Sequence, residues 1–516
     1  MSLWKHESGP AVARMFQREL ALVFLIAWLS LGVQVTLLVG SHGLLPAHSW
    51  LEMLRERTTA GFFQVPTWLW LGSSDALLRG GIWLGVGLSL LALAGVWPRA
   101  CFALSTLLYL GYVVACRSFT GFQWDNLLLE CGLLACLLPR DRPAKWIHVL
   151  FRLLLFKLYF ESGLAKLQSP IGDWLDGSAM RFYYQTAPIP TALAWYAHHL
   201  PAWWHHIESN ATLVWEMAVP FLIFGPRRAR MAAAVVFTGF QLINIATANY
   251  GFFSYLALAL GVFLLDDRDI ERLRAVARAR ARRLRRRFPA LRRPAARRRL
   301  VARTLCRLRR ALSPRIPARL ESQVWLTGAR RAGAYLFSAL YLAVSLNNGL
   351  QHFDRPRGGF AGLDALSGGL RPFRVINTYY LFTQVTRIRI EPQFSTYDGT
   401  RWTEHNFYYK AGPVGRAPPF VAPHQPRVDF LLWFYGLGFR RMPRYVGSLL
   451  EHLCREPAVV QPLFVDRLPA EPQAVRIVFY DYRFTTPQQK AATGNWWQRQ
   501  SIARTRTFSC GAFTDP

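Results

Sequence analysis

Residues 122–138, FQWDNLLLECGLLACLL, form an apolar run long enough to cross a bilayer, yet Asp125 and Glu130 lie inside it. The next run, residues 146–167 (WIHVLFRLLLFKLYFESGLAKL), carries Arg152, Lys157, Glu161 and Lys166 in the same way. Ionisable groups within a membrane are costly, so they persist where they pair or where they do chemistry. These two stretches decide the reading: a polytopic α-helical membrane protein with charge held among its helices.

Working outward, uncharged runs of similar length recur at 20–38, 80–97, 100–116, 231–247 and 251–265. A further run at 208–224 contains Glu216, followed one turn later by Pro220, where a kink is expected to open a polar cavity. A ninth run lies at 332–350. The first run is too long for a signal-peptide core and has no small-residue cleavage site after it, so it reads as an anchor.

The chain has 516 residues, is 52% hydrophobic, and has a formal charge of +32. That charge is concentrated: residues 271–320 contain 20 arginines and one acid, Glu271. No aromatic platform or nucleic-acid-binding motif accompanies them, so a cytoplasmic linker lying on anionic headgroups is expected and nucleic acid is not. With the N-terminus in the cytoplasm, nine crossings put Arg99, the Arg140–Arg142 cluster with Lys145, the trio Arg227, Arg228 and Arg230, and the arginine tract on one side. The expected order is an eight-helix membrane domain (1–266), the linker (267–330), a ninth span (331–350) and an extracytoplasmic α+β domain (351–516). Abundant Ala, Leu and Arg suggest a GC-rich bacterial genome. The compartment expected is therefore a bacterial inner membrane with a periplasmic C-terminal domain.

Depth along the helices predicts partners. At about 1.5 Å per residue, Glu130 lies about 12 Å and Lys157 about 15 Å from the outer ends of their antiparallel spans. Asp125 and Lys166 both lie near the outer surface, so the expected pairs are Glu130 with Lys157 and Asp125 with Lys166. Lys157 and Glu161 share a helix face. Such charges either fix helix register or line a cavity open to the outer side.

In the outer loop 181–206, Trp195, Trp203 and Trp204 suit a helix in the headgroup layer. Its four histidines are split by Pro201 and lack a completing carboxylate, so no metal is expected. Beyond residue 350, RIRIE (387–391), the turn signal Tyr397-Asp398-Gly399 and the stretch 402–409 predict a β-hairpin. Residues 475–484 predict another strand, and 428–450 one or two helices. The stretch 415–430, GRAPPFVAPHQPRVDF, fits neither helix nor strand. It reads as a proline-stiffened docking loop (Pro423, His424, Gln425, Pro426, Arg427, Asp429), with Arg427 and Asp429 anchoring it to helix ends. Cys454 and Cys510, the only cysteines beyond the ninth span, are able to pair, although their spacing does not require it. No G-x-S-x-G, H-E-x-x-H, P-loop or dinucleotide fingerprint occurs, and no cofactor is expected.

Several segments together resemble the lipase maturation factor family: 122–130, 185–206, 214–228, 248–253 (ANYGFF), 375–382 (VINTYYLF), 395–412, 415–430 and 480–485. They carry Trp124, Asn249, Tyr250, Asn377, Asp398, Gly399 and Trp402 as motif residues. This chain departs from the family pattern at Gln185 and Ala187. The resemblance implies a membrane protein with a lumenal C-terminal domain that helps exported clients such as lipases to fold; vertebrate members reside in the ER. A weaker resemblance, over YFESGLAKL (159–167) and DWLDGSAM (173–180), is to the membrane domain of vitamin K-dependent γ-carboxylases. It implies the alternative of a membrane-embedded enzyme using Lys157, Glu130 or Lys166.

Overall fold

The apolar runs fold as helices in the computed structural model, which describes residues 9–59, 61–140, 144–287, 324–350, 353 and 360–513. Helix α1 (Pro10–Gly32) opens with proline in its first turn, where a missing N–H costs nothing. The Asp267 carboxylate accepts from Gly9, Ala11 and Val12 N–H at 3.0–3.1 Å, capping that helix from 250 residues away. The chain then continues through α2 (Asp75–Ala94), α3 (Pro98–Ala115), α4 (Gln123–Leu137), α5 (Lys145–Leu167) and α6 (Ala202–Met217). Next come α7 (Arg227–Thr247), α8 (Phe253–Gly261), α9 (Asp267–Arg287) and α10 (Val324–Leu350).

Among the described residues, five helical segments are long and apolar enough to cross a membrane: Pro10–Gly32, Asp75–Ala94, Pro98–Ala115, Ala202–Phe224 and Arg227–Thr247. The helix over 123–137 has only 15 residues, and α5 interrupts its apolar face with four charged side chains. The regular α-helix ends at Met217, and Pro220 lies in a 3₁₀ turn over Val219–Phe224. Residues 288–323, most of the arginine tract, lie outside the described residues.

The C-terminal part is built on an antiparallel sheet. Strands β1 (Arg389–Tyr397), β2 (Trp402–His405), β3 (Ala474–Phe484) and β4 (Trp497–Arg504) run in the order β2-β1-β3-β4, and β5 (Phe508–Ser509) also pairs with β3. The expected hairpin is β1–β2, with Tyr397 opposite Trp402. Its turn is held by Asp398, which accepts from Thr400 and Arg401 N–H at 2.8 Å, and by Gly399 at φ +99°. Helices α11 (Arg427–Leu437) and α12 (Arg444–Arg455) fill the predicted helical region. The end of the stretch read as irregular therefore corrects to helix: Arg427 begins α11 directly after Pro426. Cys454 and Cys510 form a disulfide tying α12 to the C-terminal turn.

Candidate functional site

The proline-rich loop shows how the two parts of the molecule meet. Proline fixes φ and removes a donor, so this backbone cannot form a ladder and its remaining groups need other partners. Val421 and Ala422 N–H both donate to Asn249 Oδ1, at 2.7 and 2.9 Å. Asn249 Nδ2 returns a bond to Pro419 O at 2.9 Å. Gln425 N–H donates to Ser30 Oγ at 2.9 Å, and Arg427 N–H to Gln34 Oε1 at 3.0 Å. Ser30 and Gln34 lie one turn apart on the first apolar run, a polar pair at i,i+4 that the sequence reading passed over. Ser30 Oγ also lies 2.9 Å from His424 Nδ1, and burial pushes that histidine down to about 4. Gly251, at φ +53°, lies so close that an added Cβ would sit 2.9 Å from Gln425 Cβ.

At the start of α11 the loop delivers its charge. The Arg427 guanidinium donates to Asp125 Oδ1 at 2.8 Å and Oδ2 at 2.9 Å, a bidentate pair, and to Phe119 O at 2.8 Å. Tyr109 OH donates to the same carboxylate at 2.6 Å. Arg427 and Asp125 are 1% and 0% exposed. The expectation that Asp125 pairs with Lys166 is thus corrected: its partner comes from 302 residues along the chain, and matching depths between adjacent helices could not find it.

A second line of contacts follows residues 377–385 past the N-terminal half of α4 and the C-terminal half of α5. Lys157 Nζ lies 3.2 Å from Glu130 Oε1 and 3.3 Å from Ser345 Oγ. Glu130 also accepts from Tyr341 OH, from Tyr379 OH at 2.6 Å, and from the backbone and side chain of Asn377 at 3.0 Å each. Glu161 accepts from Tyr379 N–H at 2.8 Å. Lys166 Nζ donates to Glu216 at 2.6 Å and to Leu381 O at 2.8 Å. Arg152 stands apart, donating to Phe263 O at 2.8 Å. The cavity beside Glu216, of about 110 Å³, is not the polar one expected: its wall is mainly apolar, with Trp174, Trp204, Trp215, Tyr183, Phe240 and Phe382 among the residues that line it.

A third contact comes from charges on the buried face of β1. Arg389, Glu391 and Gln393 share that face because side chains alternate along a strand. Arg389 reaches Gln185 O at 3.2 Å, Pro188 O at 3.0 Å and Ala187 O, gripping the loop before α6. It is balanced by Glu391 at 2.5 Å, which Lys410 meets from the other side at 2.6 Å. Asp429 belongs to this group and not to a helix end, so its expected anchoring role is corrected. Its Oδ1 accepts from Tyr409 N–H at 3.3 Å, and burial pushes its carboxyl up to about 7 against the pull of Lys410. Arg389, Glu391 and Lys410 were not singled out from sequence, although the alternation in RIRIEPQ was a usable signal. Trp195 is also corrected: it is buried and donates to Thr485 O at 3.1 Å, whereas Trp203 and Trp204 are exposed.

The remaining motif residues divide between the seam and the hairpin. Trp124 stacks on Phe122 at 4.7 Å and meets Phe430 edge-on, and Tyr250 OH lies 2.7 Å from Tyr183 OH. Asp398, Gly399 and Trp402 stay at the hairpin turn, where Arg476 lies 3.9 Å over the Trp402 ring. Lys157, Glu130 and Lys166, the residues of the membrane-enzyme alternative, are each paired inside the protein, and that reading is not favoured.

Apolar helices carrying buried charge, with a β-containing C-terminal domain seated on them, define a class: an integral membrane protein with a docked domain. Residues 11–272 match the lipase maturation factor transmembrane domain and residues 375–507 the lipase maturation factor C-terminal domain. The chain belongs to the lipase maturation factor family, as its motifs suggested. It is 30% identical to lipase maturation factor 2 of Homo sapiens, over 95% of this chain and 81% of that protein. The corresponding protein of Gallus gallus is 31% identical, over 95% and 80%. Lipase maturation factor 1 of Bos taurus is 27% identical, over 94% and 86%. No solved structure matches the chain.

Proposed function

We propose that this protein is an integral membrane factor that assists the folding, assembly or maturation of exported proteins, lipases among them, through a domain held on the outward face. The observation that carries the reading is the pairing of both family domains in one chain, joined by the buried Asp125–Arg427 contact. A client handled outside the cytoplasm needs a surface there, and a rigid seam lets the membrane helices hold that surface in a fixed attitude.

The nine-span topology and periplasmic placement belong to the same proposal. Supporting them, Arg99 meets Cys136 O, Arg140 meets Gly95 O, and Arg227 and Arg230 meet Asp266, so the basic connections gather at one end with Asp267 and the N-terminus of α1. The C-terminal domain contacts the opposite ends of the helices, at Ser30, Gln34, Asp125 and Asn249. Basic connections favour the cytoplasm and disulfides form in oxidising compartments, so the positions of both agree with an outward domain.

The test is to delete the gene in its host and measure the specific activity of secreted lipases and other exported enzymes. A fall restored by the wild-type chain, but not by Asp125→Ala, is expected. Normal specific activity of every exported protein in the deletion strain would sink the reading.

A further inference from the structure

At the outer ends of α4 and α10 the structure contains a polar cavity of about 480 Å³. Arg371, Arg374, Asn126, Asn348 and Asn377 give it its character, and Asp364 is the one carboxylate among its described lining residues. Asp364 already accepts from Asn347 Nδ2 at 2.9 Å. Neither Arg371, which is exposed, nor Arg374 forms an ion pair with a carboxylate among the described residues, whereas Lys157, Lys166, Arg389, Lys410 and Arg427, buried at the seam, are each paired with one. Arg374 is half-buried and has a backbone φ of +55°, an unusual conformation for a residue with a side chain. The two guanidiniums repel each other, and burial has taken much of the water from Arg374. Asn126 Oδ1 is buried without a donor. The cavity therefore offers two forked donors suited to a phosphate and one acceptor suited to a hydroxyl.

We infer that this cavity binds the headgroup of an anionic phospholipid, with the phosphodiester on Arg371 and Arg374 and a headgroup hydroxyl donating to Asn126 Oδ1. The surrounding bilayer supplies this ligand at the level of the helix ends. The site has a consequence for the seam, because Asn377 in the cavity wall is bonded to Glu130 at 3.0 Å. A bound headgroup braces residues 374–377, where the chain leaves the membrane helices for the C-terminal domain. This inference does not depend on the identity of any client, nor on which face of the membrane the domain occupies.

The experiment uses the full chain in nanodiscs, of phosphatidylcholine alone or with added phosphatidylglycerol, and measures lipid binding by native mass spectrometry together with the thermal unfolding midpoint. Phosphatidylglycerol is expected to raise the midpoint of the wild type. The double variant Arg371→Gln/Arg374→Gln should match the wild type in phosphatidylcholine but bind phosphatidylglycerol about tenfold more weakly, the loss expected when charge-assisted bonds are removed. Asn126→Leu should show a smaller loss. The arginine tract is the same in both proteins, so the difference between wild type and double variant is the readout. Equal gains in both proteins would overturn the inference. So would a wild-type gain reproduced in phosphatidylcholine discs by free glycerol phosphate, which would assign the site to a soluble anion.

Discussion

At one end of the helix bundle Arg227, half exposed to solvent, reaches Asp266 and Asp269, beside Arg230, which is buried and shares Asp266. At the other end Arg427 meets Asp125 with neither side chain reaching solvent. Both are arginine–aspartate pairs, but they do different work. A solvated pair can break and be replaced by water at little cost, whereas removing one partner from a sealed pair leaves a buried charge with nothing to answer it. In the sealed pair the two partners also come from different domains. The solvated Arg227 pair thus tolerates change, whereas the sealed Arg427 pair holds the C-terminal domain on the helices.

The largest effect expected is at the sealed pair. Asp125→Ala or Arg427→Ala should each cost about 3–5 kcal/mol, read as a lower unfolding midpoint and as release of residues 375–513 to protease. The double replacement Asp125→Leu/Arg427→Met should recover most of that loss, because apolar pairs of similar size fill such sites at little cost. If the double variant is as unstable as the singles, the pair is not an isolated unit.

Next comes the close approach beside the loop. Gly251→Ala must hold a Cβ at φ +53° against Gln425, and about 1–3 kcal/mol of destabilisation is expected. A wild-type midpoint for this variant would mean that the loop does not press on Gly251.

Titration separates two groups of the docked loop. The folded-state carboxyl of Asp429 is raised from 3.8 to about 7, so the native chain holds its proton more tightly than the unfolded chain does. Stability from this group is complete below about 3.8 and is lost as pH rises through about 7. His424 is lowered from 6.5 to about 4, so its stability is complete above 6.5 and is lost as pH falls through about 4. Asp429→Asn should remove the decline toward neutral pH and leave only the acid-side loss. A midpoint-against-pH curve unchanged by Asp429→Asn would contradict this assignment.

The smallest effect belongs to the solvated Arg227 pair. Arg227→Ala should cost no more than about 1 kcal/mol. A loss equal to that of Arg427→Ala would erase the distinction between the ends.

Much of this was legible in the sequence wherever the cause is local. Apolar length gave the helices, alternation gave β1 and β3, and depth along antiparallel neighbours put Glu130 opposite Lys157, the pair found at 3.2 Å. The need of the proline-rich loop for outside partners was readable because its prolines leave backbone groups that cannot form a ladder, and those groups bond Asn249, Ser30 and Gln34. What was not legible is long-range. Asp125 meets a residue 302 positions away, and Arg389 grips carbonyls about 200 positions before it, connections that no periodicity or spacing encodes.

The proposed function requires the two ends of the helix bundle to lie on opposite faces of the membrane. Cysteines introduced at exposed Phe434, on α11 of the docked domain, and at exposed Arg283 on α9 test this in intact cells with a membrane-impermeant maleimide. Phe434→Cys should be labelled from outside, and Arg283→Cys only after the membrane is permeabilised. Labelling of Arg283→Cys from outside, with Phe434→Cys protected, would contradict the account.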